Sequence, residues 1–402
     1  MVPSVRVRVA ECLLAISAIV LACLVAEAAF SLFGLRYIPL RLQGDLPEDV
    51  RVFAQSSKSG VVPRDPVLLL GDSNAQGSGD WLLETDPNRN GPFHSAHVIN
   101  RLTGRDVITL GVSGAGSAEG MAAFPEIAYA NAKDAWYLRL PSPHVAVVYF
   151  YEGNDLNDNM RFLARRVENL DAADLVDRID RSIAAYPSEF FVSRGWWRHF
   201  TLLRFSARIV LRIFAESTES VRERPKLDDV RRIADADKPN IVEVAGQAIE
   251  LPANLQSPAM ELTPTEMANA SLVFERSLDF LRKLLPHTPT LVVYLPSPLS
   301  SYRLLTPEVS IQRYVMSSTT RYAKERVAEY SNAVCRLIRS ATITQGAGFL
   351  DLRPAVRTAS AREILHGPRE FKHFNRKGMQ LLGQAVAERI DQPLAQDSCA
   401  NL

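Results

Sequence analysis

Five short apolar runs, Val67–Leu70, Val107–Leu110, His144–Tyr149, Thr290–Leu295 and Gly348–Leu352, recur along this chain with longer stretches between them. Continuous apolar runs of this length suit strands buried on both faces, which is the condition of a parallel sheet. The stretches between them carry helical periodicity, most clearly at Glu266–Leu285, where Phe274, Leu278, Leu281 and Leu285 share one face. Strands alternating with helices predict an α/β fold, a parallel five-stranded sheet covered by helices on both faces. Prolines at Pro141-Ser-Pro143 and Pro286-His-Thr-Pro289 mark the boundaries before the third and fourth strands. At 402 residues the chain is long enough to bury a substantial core.

Four short motifs fall at informative places. Leu68–Gly77 reads LLLGDSNAQG, a buried strand that stops at Gly71-Asp72-Ser73. Gly111-Val-Ser-Gly114 follows the second strand, Gly153-Asn154-Asp155 the third, and His373-Phe-Asn-Arg-Lys-Gly378 lies near the C-terminus. Taken singly, the first three are ordinary turn chemistry, and a histidine before a helix is ordinary capping. In this order they resemble the sequence blocks of the SGNH (GDSL-type) hydrolase family. The resemblance covers about Val67 to Ile390, apart from an insertion, and implies a flavodoxin-like three-layer αβα fold.

The same resemblance implies the roles. Ser73 matches the nucleophile and His373 the general base. Ser73 N–H, Gly114 N–H and the Asn154 side chain match the oxyanion donors. A serine hydroxyl needs such a base and such donors to attack an ester. The family usually carries aspartate three residues before the histidine, where this chain has Glu370; the longer side chain leaves a loose triad or a Ser–His dyad open. Asn74 follows the serine where the family name implies leucine. Asn375 is a good N-cap for a helix through Met379, Leu382 and Val386, and Asp155 is placed to brace the turn that presents Asn154.

The expected activity is a serine esterase acting through an acyl-serine intermediate on O-acyl, chiefly O-acetyl, esters. Membrane-anchored members of the family suggest cell-envelope glycans as substrate. An envelope O-acyltransferase using the same residues, a silent glycan-binding or scaffold protein, and a lipid esterase are the alternatives.

Other signals are weaker. Gly114-Ala-Gly116-Ser-Ala-Glu-Gly120 misses the dinucleotide fingerprint by one position. Asp86-Pro-Asn-Arg-Asn-Gly91 and Asp155-Leu-Asn-Asp-Asn159 begin like calcium loops but lack the closing glutamate. No P-loop is present and the cysteines show no zinc spacing, so no cofactor and no metal are expected. A net charge of +1 offers no case for nucleic acid.

The N-terminal segment, residues 1–40, reads as a membrane anchor or a signal peptide. Arg6 and Arg8 precede an apolar run from Cys12 that resumes after Glu27 to Leu35, about the ~20 residues that span a bilayer. Ala26-Glu27-Ala28 is a possible cleavage site, and the persistence of apolar residues beyond it favours an uncleaved anchor. Residues 41–66 form a polar stalk, and 67–402 the hydrolase-type domain. Either N-terminal reading exports that domain, to the periplasm or outside the cell, with a bacterial inner membrane as the preferred site of the anchor. Cys335 and Cys399 can bridge in such an oxidising compartment.

The domain is interrupted at about 160–263 by an insertion that is mostly helical in pattern. Within it, Trp196-Trp197 precede a stretch where Arg204, Arg208 and Arg212 share one helical face, with Leu202, Phe205, Ile209 and Ile213 on another. An amphipathic helix packed on the core is the plain reading; a lid, or a surface touching lipid headgroups, is the sharper one.

Overall fold

The structure, a computed structural model, describes residues 5–38, 42, 45–79, 93–130, 140–167, 170, 173–190, 200–219, 239–312 and 319–402. Trp196, Trp197 and the Asp86–Gly91 motif lie outside the described residues.

The strands of the main sheet are β1 (Val67–Gly71), β2 (Val107–Thr109), β3 (Val145–Tyr151), β6 (Thr290–Leu295) and β10 (Gly348–Asp351). Their spatial order is β2-β1-β3-β6-β10 and every neighbouring pair is parallel. This is the flavodoxin-like doubly wound order, with its topological switch between β1 and β3. Alternation along the strands divides the core into two layers. Leu68, Leu70, Ala146, Val148, Val292 and Tyr294 face α7 (Pro264–Leu284) and α8 (Glu325–Thr344). Val67, Leu69, Val145, Val147, Tyr149 and Val293 face α3 (Ser95–Thr103), α9 (Arg353–Ser360) and α10 (Arg376–Arg389). The helix expected at Glu266–Leu285 is α7, and a Thr263–Glu266 capping box with Pro264 at its first position fixes its start.

The interval 160–263 contains the end of α4 (Asp155–Arg166), then α5 (Leu175–Phe190) and α6 (Thr201–Glu219). It also contains an antiparallel hairpin, β4 (Asn240–Val244) and β5 (Gln247–Leu251), which joins β7 (Arg303–Leu304) in a second sheet. The turn is two residues, Ala245 at φ +53° and Gly246 at φ +75°, the left-handed pair that a tight hairpin requires. A further hairpin pairs β8 (Glu308–Gln312) with β9 (Thr319–Ala323).

The N-terminal helix α1 (Val5–Ala29) stands clear of the domain from residue 11 on, with Leu13, Leu14, Ile16, Ile19, Val20, Leu21, Leu24 and Val25 exposed. The apolar stretch Glu11–Tyr37 is long enough to cross a membrane. Beyond α1 the chain docks: Ser31 and Leu35 are buried, and Phe30 and Ile38 pack on the core. At the other end Cys335 of α8 is disulfide-bonded to Cys399, tying the C-terminal segment to the sheet layer.

Candidate active site

Parallel strands deliver their following loops to one edge of the sheet, and the sequence motifs collect there. β1 ends at Gly71, whose φ is +132° and where a Cβ would lie 2.6 Å from Tyr149 O. Glycine is therefore required both by conformation and by the close approach of β3. Asp72 then caps the short helix α2 (Ser73–Gln76) by accepting from Asn74 N–H at 2.8 Å. Ser73 thus sits on a sharp strand-to-helix turn, 5% exposed.

The loop 366–375 brings His373. Ser73 Oγ lies 2.7 Å from His373 Nε2, and His373 Nδ1 lies 2.5 Å from Glu370 Oε2. These side chains are 300 positions apart in the chain for the first pair and three for the second. The extra methylene of Glu370 is absorbed by its own turn. Its carboxylate accepts the N–H of Lys372 at 2.5 Å and of His373 at 3.2 Å, so it folds back beneath the ring. Burial opposes ionisation of Glu370, but the hydrogen bond and charge of His373, with those two amides, outweigh it and hold the pKa below the usual carboxylate value. An ionised Glu370 accepts Nδ1–H, which leaves the Nε2 lone pair to accept from the Ser73 hydroxyl.

The base loop is fixed at both ends. Asn375 caps α10, accepting from Lys377 and Gly378 N–H, and its amide donates to Ile364 O at 2.9 Å. At the other side the Tyr151 hydroxyl, at the end of β3, lies 3.0 Å from Lys372 O.

Gly114 and Asn154 arrive on the loops after β2 and β3. The β2 loop is tied to α2: Val112 N–H donates to Gly71 O at 3.2 Å and Ser113 N–H to Gln76 Oε1 at 2.7 Å. At Gly111 a Cβ would meet Gln76 N at 2.4 Å. Gly114 differs. Its φ is +76°, yet a Cβ there would meet nothing within 4 Å, so its amide borders open space. Asn154, 7% exposed, opens α4. Its side chain lies near enough to the Asp72 carboxylate to favour the ionised form. Burial raises the Asp72 pKa, opposed by the Asn74 amide, the His373 charge and Asn154. Asp155 braces this turn, accepting Tyr151 N–H at 2.8 Å, and burial raises its pKa strongly.

A cleft of about 360 Å³ opens beside Gly114, lined also by Glu119, Asp158, Arg161, Phe162, Arg165, Arg166 and Tyr186. Charged groups and two aromatic rings make it a polar cleft, not an acyl-chain tunnel. Among the described residues no group of three or more His, Cys, Asp or Glu side chains is placed to hold a metal ion.

Two supports were not anticipated from the sequence. His94 is buried against α2, with Nδ1 accepting Ala96 N–H at 2.9 Å and Nε2 3.1 Å from Gln76 O. Gly77, at φ +86°, makes room for it, since a Cβ would overlap the His94 ring. Glu152, fully buried, gathers the hydroxyls of Tyr294, Ser297, Ser300 and Ser331 immediately before Gly153-Asn154. Nothing in local spacing announces either role: His94 acts by packing against α2, and the partners of Glu152 lie at least 142 positions away.

No protein-family model matches the chain, and no curated protein matches it. Among solved structures, it is similar to a carbohydrate esterase family 2 enzyme with a carbohydrate binding domain from Corynascus thermopiles (Myceliophthora fergusii). That likeness has a TM-score of 0.35 and 11% identity, over 82% of this chain and 67% of the other. It is also similar to LAE5, an alpha/beta hydrolase enzyme from the metagenome of Lake Arreo, Spain. Here the TM-score is 0.32 and the identity 12%, over 82% of this chain and 96% of that one.

Proposed function

We propose that the protein is an SGNH-type serine esterase of O-acyl groups. The observation that carries this is the relay Ser73–His373–Glu370, closed at 2.7 and 2.5 Å at the sheet edge where doubly wound folds bind ligands. Ser73 Oγ attacks the ester carbonyl carbon as its proton passes to His373 Nε2. The C–O bond to the alcohol then breaks, and the departing oxygen takes that proton back. Water, deprotonated by the same nitrogen, attacks the acyl-serine and releases the acid. Glu370 holds the imidazole tautomer and offsets the charge of the imidazolium.

The oxyanion is assigned to Ser73 N–H, Gly114 N–H and Asn154 Nδ2. That amide has two protons to offer a substrate oxygen. Acetylated glycan is the preferred substrate class: the adjoining cleft is lined by charged side chains that can hydrogen-bond a hydroxyl-rich ligand. α1 anchors the chain, and the Cys335–Cys399 bridge supports placing the domain on the oxidising side of that membrane.

The test is release of acetate from acetylated oligosaccharide and from p-nitrophenyl acetate by the whole protein, compared with Ser73→Ala and His373→Ala. Turnover should vanish in both variants while the fold persists. Transfer of the acyl group only when an acceptor sugar is present would replace esterase by O-acyltransferase. No serine-dependent turnover under either condition would overturn the catalytic reading.

A further inference from the structure

We infer that α6 is an interfacial helix, lying on the outer leaflet of the bilayer that α1 crosses, with lipid as the cover of its outward face. The inference rests on the anchor reading of α1.

The first observation is a level. α1 is one unbroken helix, and the basic pair Arg6 and Arg8 falls in its first turn. From Arg8 to Glu27 the helix rises about 28 Å at ~1.5 Å per residue, close to the ~30 Å hydrocarbon thickness. Glu27 therefore marks the far boundary of the span. Just beyond it the chain begins to dock, with Ser31 and Leu35 buried in the domain.

The second observation is what Glu27 holds. Its carboxylate accepts the N–H of Leu202 at 2.7 Å and of Leu203 at 3.3 Å, in the first turn of α6. A carboxylate on exposed helix N–H groups satisfies both partners where water is scarce. Phe30 stacks on Phe205, ring centroids 5.7 Å apart. The start of α6 is thus fixed at the boundary level of the span.

The third observation is that α6 has two apolar faces. Thr201, Phe205 and Ile209 turn inward, on the side where Arg208 Nη1 donates to Leu46 O at 3.0 Å and Arg212 pairs with Asp45 at 2.6 Å. The opposite stripe, at helical spacing, is Leu203, Val210, Leu211 and Phe214, exposed by 48%, 49%, 67% and 67%. An apolar stripe of that extent pinned beside a bilayer span is the pattern of a helix lying in the interface plane. α6 is joined at its start to the end of α1, through Glu27 and Phe30, so lipid around α1 lies beside the stripe. The expected headgroup-contacting surface is therefore this stripe, while Arg208 and Arg212 turn the other way, toward Leu46 and Asp45.

The test uses spin labels on single cysteines in the full chain, reconstituted into phosphatidylglycerol–phosphatidylethanolamine vesicles. Cys12 and Cys23 are replaced by serine, and the Cys335–Cys399 bridge is retained. Labels are placed by Leu203→Cys, Leu211→Cys, Ile19→Cys within α1, and Leu394→Cys on the far surface; all four positions are exposed, so packing is spared. The readout is the ratio of collision with oxygen to collision with a water-soluble nickel chelate. The expected result is a ratio at 203 and 211 several-fold above that at 394 and below that at 19. Ratios at 203 and 211 equal to 394, with 19 high, would overturn the interfacial helix and leave the anchor standing. A ratio at 19 as low as at 394 would overturn the anchor and the proposal with it. Labels at 203 and 211 immobile and shielded from both reagents would mean a protein covers the stripe, which also overturns it.

Discussion

Replacing Glu370 by glutamine removes one charge and little volume, and the structure says what that should do. Glu370 Oε2 lies 2.5 Å from His373 Nδ1, with the two side chains 30% and 17% exposed. When the imidazole takes the Ser73 proton it becomes a cation beside that carboxylate. Two unit charges about 4 Å apart at an effective dielectric near 20 attract by about 4 kcal/mol. Partial exposure screens this to roughly 3 kcal/mol, or a factor on the order of 100 in rate. Glutamine also offers an N–H₂ that favours the wrong imidazole tautomer. Glu370→Gln is therefore expected to lower kcat/KM on p-nitrophenyl acetate by about 100- to 1,000-fold, with kcat falling and KM nearly unchanged. Glu370→Asp keeps the charge but shortens the reach by about 1.5 Å, one bond, and should lose about tenfold. The control is thermal unfolding, since the carboxylate also accepts two backbone amides. A folded Glu370→Gln enzyme within about threefold of wild type, with Ser73→Ala inactive, would refute this reasoning and leave a Ser–His dyad.

Three further outcomes follow from the same coordinates. Gly111→Ala places a methyl 2.4 Å from Gln76 N and 2.6 Å from Ala75 Cβ; α2 must shift, and both activity and Tm should fall, whereas Gly104→Ala, also in a loop but with open space around it, should leave activity intact. Removing the disulfide by Cys335→Ser with Cys399→Ser opens a loop of 64 residues and should cost about 4 kcal/mol by chain entropy, read as a lower denaturation midpoint. Burial depresses the pKa of His94 and of His97 to about 4, and of His366 to about 3. Between those values and the ordinary ~6.5 the unfolded chain binds protons that the folded one does not. Stability is therefore complete above about pH 6.5 and declines as pH falls toward 4, which denaturant titrations across that window should show, and His97→Gln should flatten.

The sheet was legible because its strands are buried on both faces. That condition forces unbroken aliphatic runs, and all five strands begin within a residue of where the sequence places them. The hairpin β4–β5 escaped a reading of 160–263 as mostly helical, although Val242, Val244, Ile249 and Leu251 alternate with polar residues. Its turn carries alanine at a positive φ, where asparagine or glycine is the recognisable signal. Ser73, Gly114 and Asn154 could be singled out in the sequence only because their motifs, each an ordinary turn by itself, follow successive strands in the block order of a known family. Tyr151, Glu152 and His94 could not, because a buried aromatic, carboxylate or imidazole is identified only by partners that the fold brings from other elements and loops.

Glu370 shows where the limit lies. Sequence gives the spacing of carboxylate and histidine, three residues, but the reach depends on how the turn between them folds. With aspartate at that spacing the chain must bring backbone and ring close together. With glutamate the carboxylate turns back onto the amides of Lys372 and His373, and Oε2 still meets Nδ1. The substitution therefore moves cost from the site to its loop: the same contact is kept, and its position is fixed by Tyr151 on one side and the Asn375 cap on the other. Tyr151→Phe is the change that separates these two layers. It leaves every relay group in place and releases Lys372 O and Gln256 Oε1, so a loss of kcat as large as that of Glu370→Asp, with Gln256→Ala near wild type, would locate the control of imidazole position in the end of β3, whereas unchanged turnover would locate it in the Asn375 cap.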